Sequence, residues 1–381
     1  FNIGDFQYLG AVGNVVYSPD NETIKGIAQT SIENPALSWE KTKGLDFGLD
    51  LSLFQSRINF TFDYYDKLTE GMLYSVNIPA LTGFTSTIEN TGTVRNRGID
   101  IEISTHNLTG AFQWNTSFGF SHNHNEVVDL GGVDERINTY WSMGWLLRKG
   151  VPMFSYYGYK MIGVFQNQEQ IDKTPHLAGT KPGNPIIKDV NDDGKITPDS
   201  DRVVLGNAEP KYIMGLTNDF SWKGFDLSIT IQASLGAKIF NGENENYQGT
   251  VNGALRRSLV RNEWWSESEP GDGKTPAASL SQLFDYNTNT DYYIENASYL
   301  NVRNVNLGYR FSKLARYVHL DNLRAYISVS NLLIIKSKDN HAYNPEGVTR
   351  GGVSGISSTP GFNDGSNPLT TAIVFGLNVT F

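Results

Sequence analysis

The chain contains no cysteine, so disulfides, thiolate metal sites and cysteine nucleophiles are excluded at once. It has no long apolar run. The densest, Leu332 to Ile335, falls far short of the roughly 20 residues that a spanning helix requires. With 39% apolar residues and a mean hydropathy of -0.35, a helical membrane protein is ruled out. Positive charge is in deficit, 31 Lys and Arg against 40 Asp and Glu. That balance argues against a nucleic-acid partner, which would want a basic stripe. Catalytic signatures are missing too: no G-x-S-x-G elbow, no phosphate-binding glycine loop and no H-E-x-x-H. Carboxylates are plentiful, but the sequence sets no two of them at the separation a glycosidase needs. The chain reads as a non-enzyme with no catalytic residues. No Met and no signal peptide precede Phe1, so it reads as processed or as part of a longer polypeptide.

What the chain does have is strand periodicity. The last residues are the clearest case: Ile373, Phe375, Leu377, Val379 and Phe381 fall on one face, and Val374, Gly376, Asn378 and Thr380 on the other. Leu45 to Leu53 and Ile58 to Tyr64 alternate the same way around a break at Gln55–Arg57, which predicts a hairpin. Ile99 to Ile103 and Phe112 to Phe120 do so around a turn at Asn107–Gly110. Phe225 to Ile231 follow a turn at Lys223–Gly224, Leu300 to Tyr309 form a less regular strand, and Leu323 to Leu332 precede a loop. Roughly ten to twelve strands are expected by this pattern. Their second face carries mostly Asp, Asn, Ser, Thr, Gln and Gly, where a soluble sandwich often shows Lys and Glu.

The spacing is lopsided. Some strands are separated by two to four residues, whereas about 30 lie between Val127 and Ser155 and over 60 between Ala237 and Ser298, lengths that are usually functional. Short turns at one end and long loops at the other belong to transmembrane antiparallel β-barrels, whose lumen is hydrated and whose strands escape the hydropathy limit. The 20 Phe, 19 Tyr and 7 Trp suit interfacial girdles. A closing strand ending on an aromatic residue fits the same fold, because no edge can remain unpaired in lipid. The expected fold is therefore all-β, with long extracellular loops.

Three groups of residues are candidates for sites. Asp189-Val190-Asn191-Asp192-Asp193-Gly194-Lys195-Ile196-Thr197 fits the first nine positions of an EF-hand-type calcium loop. Asp189, Asn191 and Asp193 offer side-chain oxygens, Gly194 the sharp turn, and Lys195 its carbonyl. The twelfth position is Ser200, so a shifted loop would draw its last carboxylate from Asp201; an Asx-rich turn without metal is the alternative. Structural calcium is the one cofactor suggested. His122 and His124 share a strand face but lack a third ligand, and are placed at a membrane interface. Trp141, Trp145, Trp264 and Trp265 lie in the long loops, where they either contact ligand or anchor the loops.

Motifs in order then point to one family. Asn34-Pro35-Ala36-Leu37-Ser38-Trp39-Glu40-Lys41-Thr42 resembles the N-P-x-L-x-W-E-x-T segment of SusC/RagA-type TonB-dependent transporters. Asp63-Tyr64-Tyr65-Asp66-Lys67 stands where that family has D-Y-Y-x-K. Ile78-Pro79, Thr82-Gly83-Phe84, Asn90-Thr91-Gly92 and Asn96-Arg97-Gly98-Ile99 continue the series. Tyr157-Gly158-Tyr159, Gly163-Val164-Phe165-Gln166, Asp189–Gly194, Tyr343-Asn344-Pro345-Glu346-Gly347 and Phe381 complete it. Gly376-x-x-Val379-x-Phe381 also resembles the terminal signal by which bacterial barrels are recognised for insertion. The resemblance implies that residues 1–381 are the C-terminal part, roughly half, of a 22-stranded outer-membrane barrel from a Bacteroidetes-type bacterium. The plug and first strands have no counterpart in this chain. It further implies a SusD-like surface lipoprotein as lid, TonB acting through the missing plug, outer-membrane lipid around the wall, and active import of a large nutrient, glycan ahead of peptide. A passive porin or structural barrel, and a secreted β-rich carbohydrate-binding protein, are the other readings.

Overall fold

The computed structural model describes residues 8–17, 24–140, 143–243, 257, 260–277, 289–347, 359–363 and 365–381. A hairpin of β1 (Val12–Tyr17) and β2 (Ile24–Gln29) comes first. Four long strands follow: β3 (Lys41–Leu53), β4 (Ile58–Asn77), β5 (Ser86–Thr109) and β6 (Phe112–Asp129). The chain then leaves this sheet for β7 (Glu135–Tyr140), β8 (Met143–Arg148), β9 (Ser155–Tyr159), β10 (Met161–Val164), α1 (Gln168–Lys173), β11 (Pro185–Ile187), α2 (Pro198–Asp201) and β12 (Arg202–Gly206). It returns as β13 (Tyr212–Trp222) and β14 (Phe225–Leu235), leaves again for β15 (Lys238–Asn241) and β16 (Ile294–Asn296), and returns as β17 (Tyr299–Arg310). The helix α3 (Ser312–Tyr317) leads to β18 (Asn322–Lys336); β19 (Phe362–Asn363) and β20 (Ala372–Thr380) end the order.

Nine strands make one antiparallel sheet in the order β20-β18-β17-β14-β13-β6-β5-β4-β3. Register explains why alternation was so regular. Leu51, Phe60, Ile103, Phe118, Leu216, Ile231, Val302 and Leu333 are successive partners across eight strands, a continuous apolar row on one face. One residue along, Ser52, Asn59, Ser104, Ser117, Thr217, Thr230, Asn304 and Ser330 form an equally continuous polar row on the other. A slip of one residue would put every apolar side chain on the wrong face, so the pattern specifies the pairing.

The apolar face is exposed instead of packed: Phe47, Leu49, Leu307, Phe375 and Leu377 all face outward. Aromatic rings border it at both ends. At the end of the short turns, Phe112 and Trp114 stack on Phe220 with centroids 6.2 and 5.8 Å away. There Phe225, Tyr309 and Phe311 form a chain at 4.5 and 4.8 Å. At the other end Phe120 and His122 meet Tyr212 at 5.9 and 5.2 Å. From Trp222 to Tyr212 the strand runs about 34 Å at 3.4 Å per residue. At a tilt of about 40° that covers about 26 Å of height, close to the apolar band of a spanning barrel.

Connections are sorted by end. Residues 54–57, 110–111, 223–224 and 311–321 join wall strands at one end; 78–85, 130–211, 236–298 and 337–371 join them at the other. Lys223 and Gly224 have φ of 48° and 91°, the two positive values a two-residue type I′ hairpin turn needs.

Two expectations change. The wall has nine described strands, not ten to twelve, and they form an open sheet with β3 and β20 at its edges. The long stretches after β6, β14 and β18 are also not plain loops. They fold into a four-stranded sheet (β12-β9-β8-β7), a three-stranded one (β16-β15-β19) and the β10–β11 pair. The dry core lies there: Met143, Trp145, Tyr156, Phe240, Tyr293 and Phe362 pack together with essentially no exposure. A wall one sheet thick has no second layer to pack against, so burial is concentrated in this cap.

Candidate functional site: the polar wall face and its cap

The polar face of the wall is a ladder of hydroxyl, amide and carboxylate side chains. Thr61 donates to Asp50 at 2.7 Å, Ser52 to Asn59 at 2.7 Å, and Thr217 and Thr230 share a bond of 3.2 Å. Where β6 rises toward the cap, amides take over. Tyr65 Oη donates to Asn123 Oδ1 (3.1 Å), and Asn123 and Asn125 both donate to Asn96 Oδ1 (3.2 and 2.9 Å). Asn125 Oδ1 then accepts the Met153 backbone N–H at 2.8 Å. This network joins wall to cap, and paired backbone bonds between Val127 and the 150–151 turn reinforce it.

Arginine enters this face through a β-bulge. Arg303 has no register partner in either neighbouring strand, because β17 shifts between Val302 and Asn304 against β18 and around the same place against β14. A bulge re-aims the extra side chain. Arg303 Nε donates to Gln232 Oε1 at 2.7 Å, and Nη2 donates to Glu346 Oε1 at 2.5 Å. Glu346 belongs to the Tyr343–Gly347 motif, so the motif serves to tie the segment after β18 onto the wall. The sequence carried one trace of the bulge, the three-residue step from Val302 to Val305.

A second hub is Glu295, buried in β16. Its Oε2 accepts from Asn241 Nδ2 (3.0 Å) and the His341 backbone N–H (2.7 Å), and its Oε1 lies 3.0 Å from His341 Nδ1. Three segments distant in sequence converge on this one carboxylate.

The Asp-rich loop is built as an Asx turn. Asp189 Oδ2 accepts the Gly194 N–H at 2.8 Å, and Asp193 accepts from Lys195 N (2.8 Å) and Asn191 Nδ2 (2.9 Å). Asp201 is fully buried and points inward, where its two oxygens accept Val190 N (2.8 Å) and Thr197 N (2.7 Å). It therefore staples the ends of the loop together. Asp189 Oδ1 is buried with no hydrogen-bond partner. Among the described residues, no group of three His, Cys, Asp or Glu side chains is placed to hold a metal.

The tryptophans divide. Trp145 has no exposed surface; it packs against Tyr156, Phe240 and Phe362 at 5.7 to 6.2 Å, and its indole N–H donates to Pro360 O at 3.0 Å. That is the anchoring role, not the ligand-facing one. Trp264 is partly buried and donates to Gln166 O at 3.1 Å. Trp265, 70% exposed, presents its ring to solvent. Trp141 lies outside the described residues. His122 is held by its ring contact to Tyr212 and by a 2.7 Å hydrogen bond between Nδ1 and Lys211 O. In the closing strand Gly376 pairs with Tyr326, whose ring occupies the space a Cβ would need, while Val379 pairs with Leu323 and Phe381 is exposed beyond the strand end.

An apolar band edged by aromatics, a polar reverse face, and the longest connections, 130–211, 236–298 and 337–371, all at one end define the wall of an outer-membrane β-barrel. Residues 8–332 match the family model for the β-barrel of TonB-dependent receptors, so the chain belongs to that family and to its SusC/RagA kind, in the outer membrane. It is similar to TonB-dependent receptor P26 of Formosa agariphila, 32% identical over 376 residues, covering 95% of this chain and 37% of that protein. It also matches TonB-dependent receptor SusC of Bacteroides thetaiotaomicron, 28% identical over 388 residues, covering 100% of this chain and 36% of that one. The chain thus spans little more than a third of the length of these relatives. Among solved structures, the RagAB peptide transporter superposes with a TM-score of 0.78 at 22% identity, covering 100% of this chain and 39% of that one. At that identity the likeness shows the fold. The family is one of transporters and not of enzymes.

Proposed function

We propose that this chain is the C-terminal wall and cap of a SusC-type importer that moves a large nutrient across the outer membrane, glycan ahead of peptide. The observation that carries the reading is the unbroken polar row on the reverse of an unbroken apolar row. A wall built so is wet on one side only, with hydroxyls and amides that offer hydrogen bonds to passing cargo without fixing one ligand. Trp265 supports a glycan, since a solvent-facing indole stacks on a sugar ring. A SusD-like lipoprotein would meet the cap, and TonB would act through a plug outside this chain. Further strands outside this chain, pairing at the β3 and β20 edges, would complete a closed barrel, of which these nine strands are part.

The test is uptake of labelled oligosaccharides and peptides by cells carrying the complete transporter, with and without TonB. Loss of uptake without TonB supports the importer, and undiminished uptake would instead identify a passive porin. Mass spectrometry of cargo that co-purifies with the transporter decides between glycan and peptide.

A structural calcium in the 189–201 loop belongs to the same reading. Asp189, Asn191, Asp193 and the Lys195 carbonyl would supply its oxygens. Support comes from the buried, unpartnered Asp189 Oδ1, an atom a cation would satisfy. Terbium luminescence that calcium displaces from the wild type, and that Asp189→Asn lacks, is the expected result; no luminescence in the wild type leaves the loop an Asx turn.

A further inference from the structure

The geometry points to residues 311–321, the connection between β17 and β18, as a contact for anionic phospholipid headgroups of the periplasmic leaflet. At this end the other connections between wall strands are short turns, whereas this one contains the helix α3. Barrels keep this side tight, so an added helix calls for a reason.

Its composition supplies one. Ala315 and Leu320 turn inward, Ala315 being buried and Leu320 half-buried, while Phe311, Leu314, Tyr317 and Val318 are exposed. That apolar surface continues the girdle: Phe311 packs on Tyr309, and Tyr309 on Phe225, on the lipid-facing side of the wall. The charges are one-sided. Lys313 and Arg316 stand in the connection, whose first acid is Asp321. Lys223 of the neighbouring turn lies over the Trp222 ring at 4.9 Å, and that turn is joined to this segment by Arg310 N donating to Gly224 O at 2.8 Å. Exposed Leu and Tyr beside Lys and Arg, at the level of an aromatic girdle, are the features of an interfacial helix. Basic side chains so placed each favour an anionic leaflet. A periplasmic protein could use the same cations, but the apolar side chains run on from the lipid belt, which favours the membrane.

This chain holds no cysteine to compete with a label placed in it, and any cysteine elsewhere in the transporter is first replaced by serine. The complete transporter carrying Tyr317→Cys, labelled there with an environment-sensitive fluorophore, is titrated with phosphatidylglycerol or phosphatidylcholine in mixed micelles. The expected result is a blue shift at lower phosphatidylglycerol than phosphatidylcholine concentration. Lys313→Gln and Arg316→Gln should each weaken the phosphatidylglycerol response about fivefold, with thermal stability unchanged. Equal responses to both lipids, or solvent-like emission throughout, would overturn the proposal.

Discussion

Arg303, pushed out of register by a bulge, meets Glu346 from a segment more than a strand away. Both side chains are about a quarter exposed, 26% and 23%. Removing one partner therefore strands the other partly desolvated, at a cost of about 1–3 kcal/mol. Glu346→Ala is expected to free the segment after β18 from the wall while leaving the sheet intact. Limited proteolysis of the complete transporter checks this: cleavage between 337 and 371 should accelerate, and the Arg303→Met, Glu346→Ala double variant should cost less than the sum of the single changes. Unchanged cleavage would show that the pair does not hold the segment.

Gly98 is the floor under a tyrosine. A Cβ there would lie 2.2 Å from the His122 backbone O, 2.5 Å from Tyr65 Oη and 2.7 Å from its Cζ, so the neighbouring strand would have to shift and the ring could not keep its place or its bond to Asn123. Gly98→Ala should destabilise the wall by about 1–3 kcal/mol, the usual cost of overpacking. Thermal unfolding in detergent measures this. Tyr65→Ser added to Gly98→Ala should recover part of the loss; no recovery would place the strain in the backbone alone.

The wall was largely legible in the sequence because its rule is local. Each strand needs apolar residues on one face and polar residues on the other, and period two records that without knowledge of partners. The least legible wall strand, β13, shows the limit. Asn218 interrupts its apolar face, satisfied by Trp114 Nε1 at 2.9 Å and Thr116 Oγ1 at 2.7 Å, a cross-strand arrangement that no single strand announces. The cap was illegible for a related reason. Its core joins Trp145 to Phe240 and Phe362, contacts separated by long stretches of chain, and a short strand such as Met143–Arg148, buried on both faces, has no alternation to read.

Tyr156 links the cap to alkaline pH. Burial pushes its phenol well above the usual tyrosine value, so the folded cap keeps it neutral after the unfolded chain would ionise. The folded state then binds more protons than the unfolded one. Its contribution is intact below the unfolded pKa of about 10 and is lost as pH rises beyond it. Tyr156→Phe should flatten that part of the decline. Melting temperatures between about pH 8 and 11, measured for both proteins, would show parallel curves if the phenol played no part.

Trp145 and Trp265 provide the sharpest separation of structure from function. Trp145 is enclosed by aromatic neighbours, so Trp145→Ala should cost about 3–5 kcal/mol and lower the cap's melting temperature. Its effect on cargo would follow only from that loss. Trp265 has little to lose by truncation, because its ring is mostly in water. Trp265→Ala should leave melting unchanged and weaken glycan binding by roughly fivefold or more, the equivalent of about 1 kcal/mol of lost stacking, a scale borrowed from aromatic pairs. Calorimetric binding to the complete transporter, set beside thermal melts, separates the two effects. If Trp265→Ala binds glycan as the wild type does, sugar stacking at this position is wrong and the glycan assignment loses its one aromatic support.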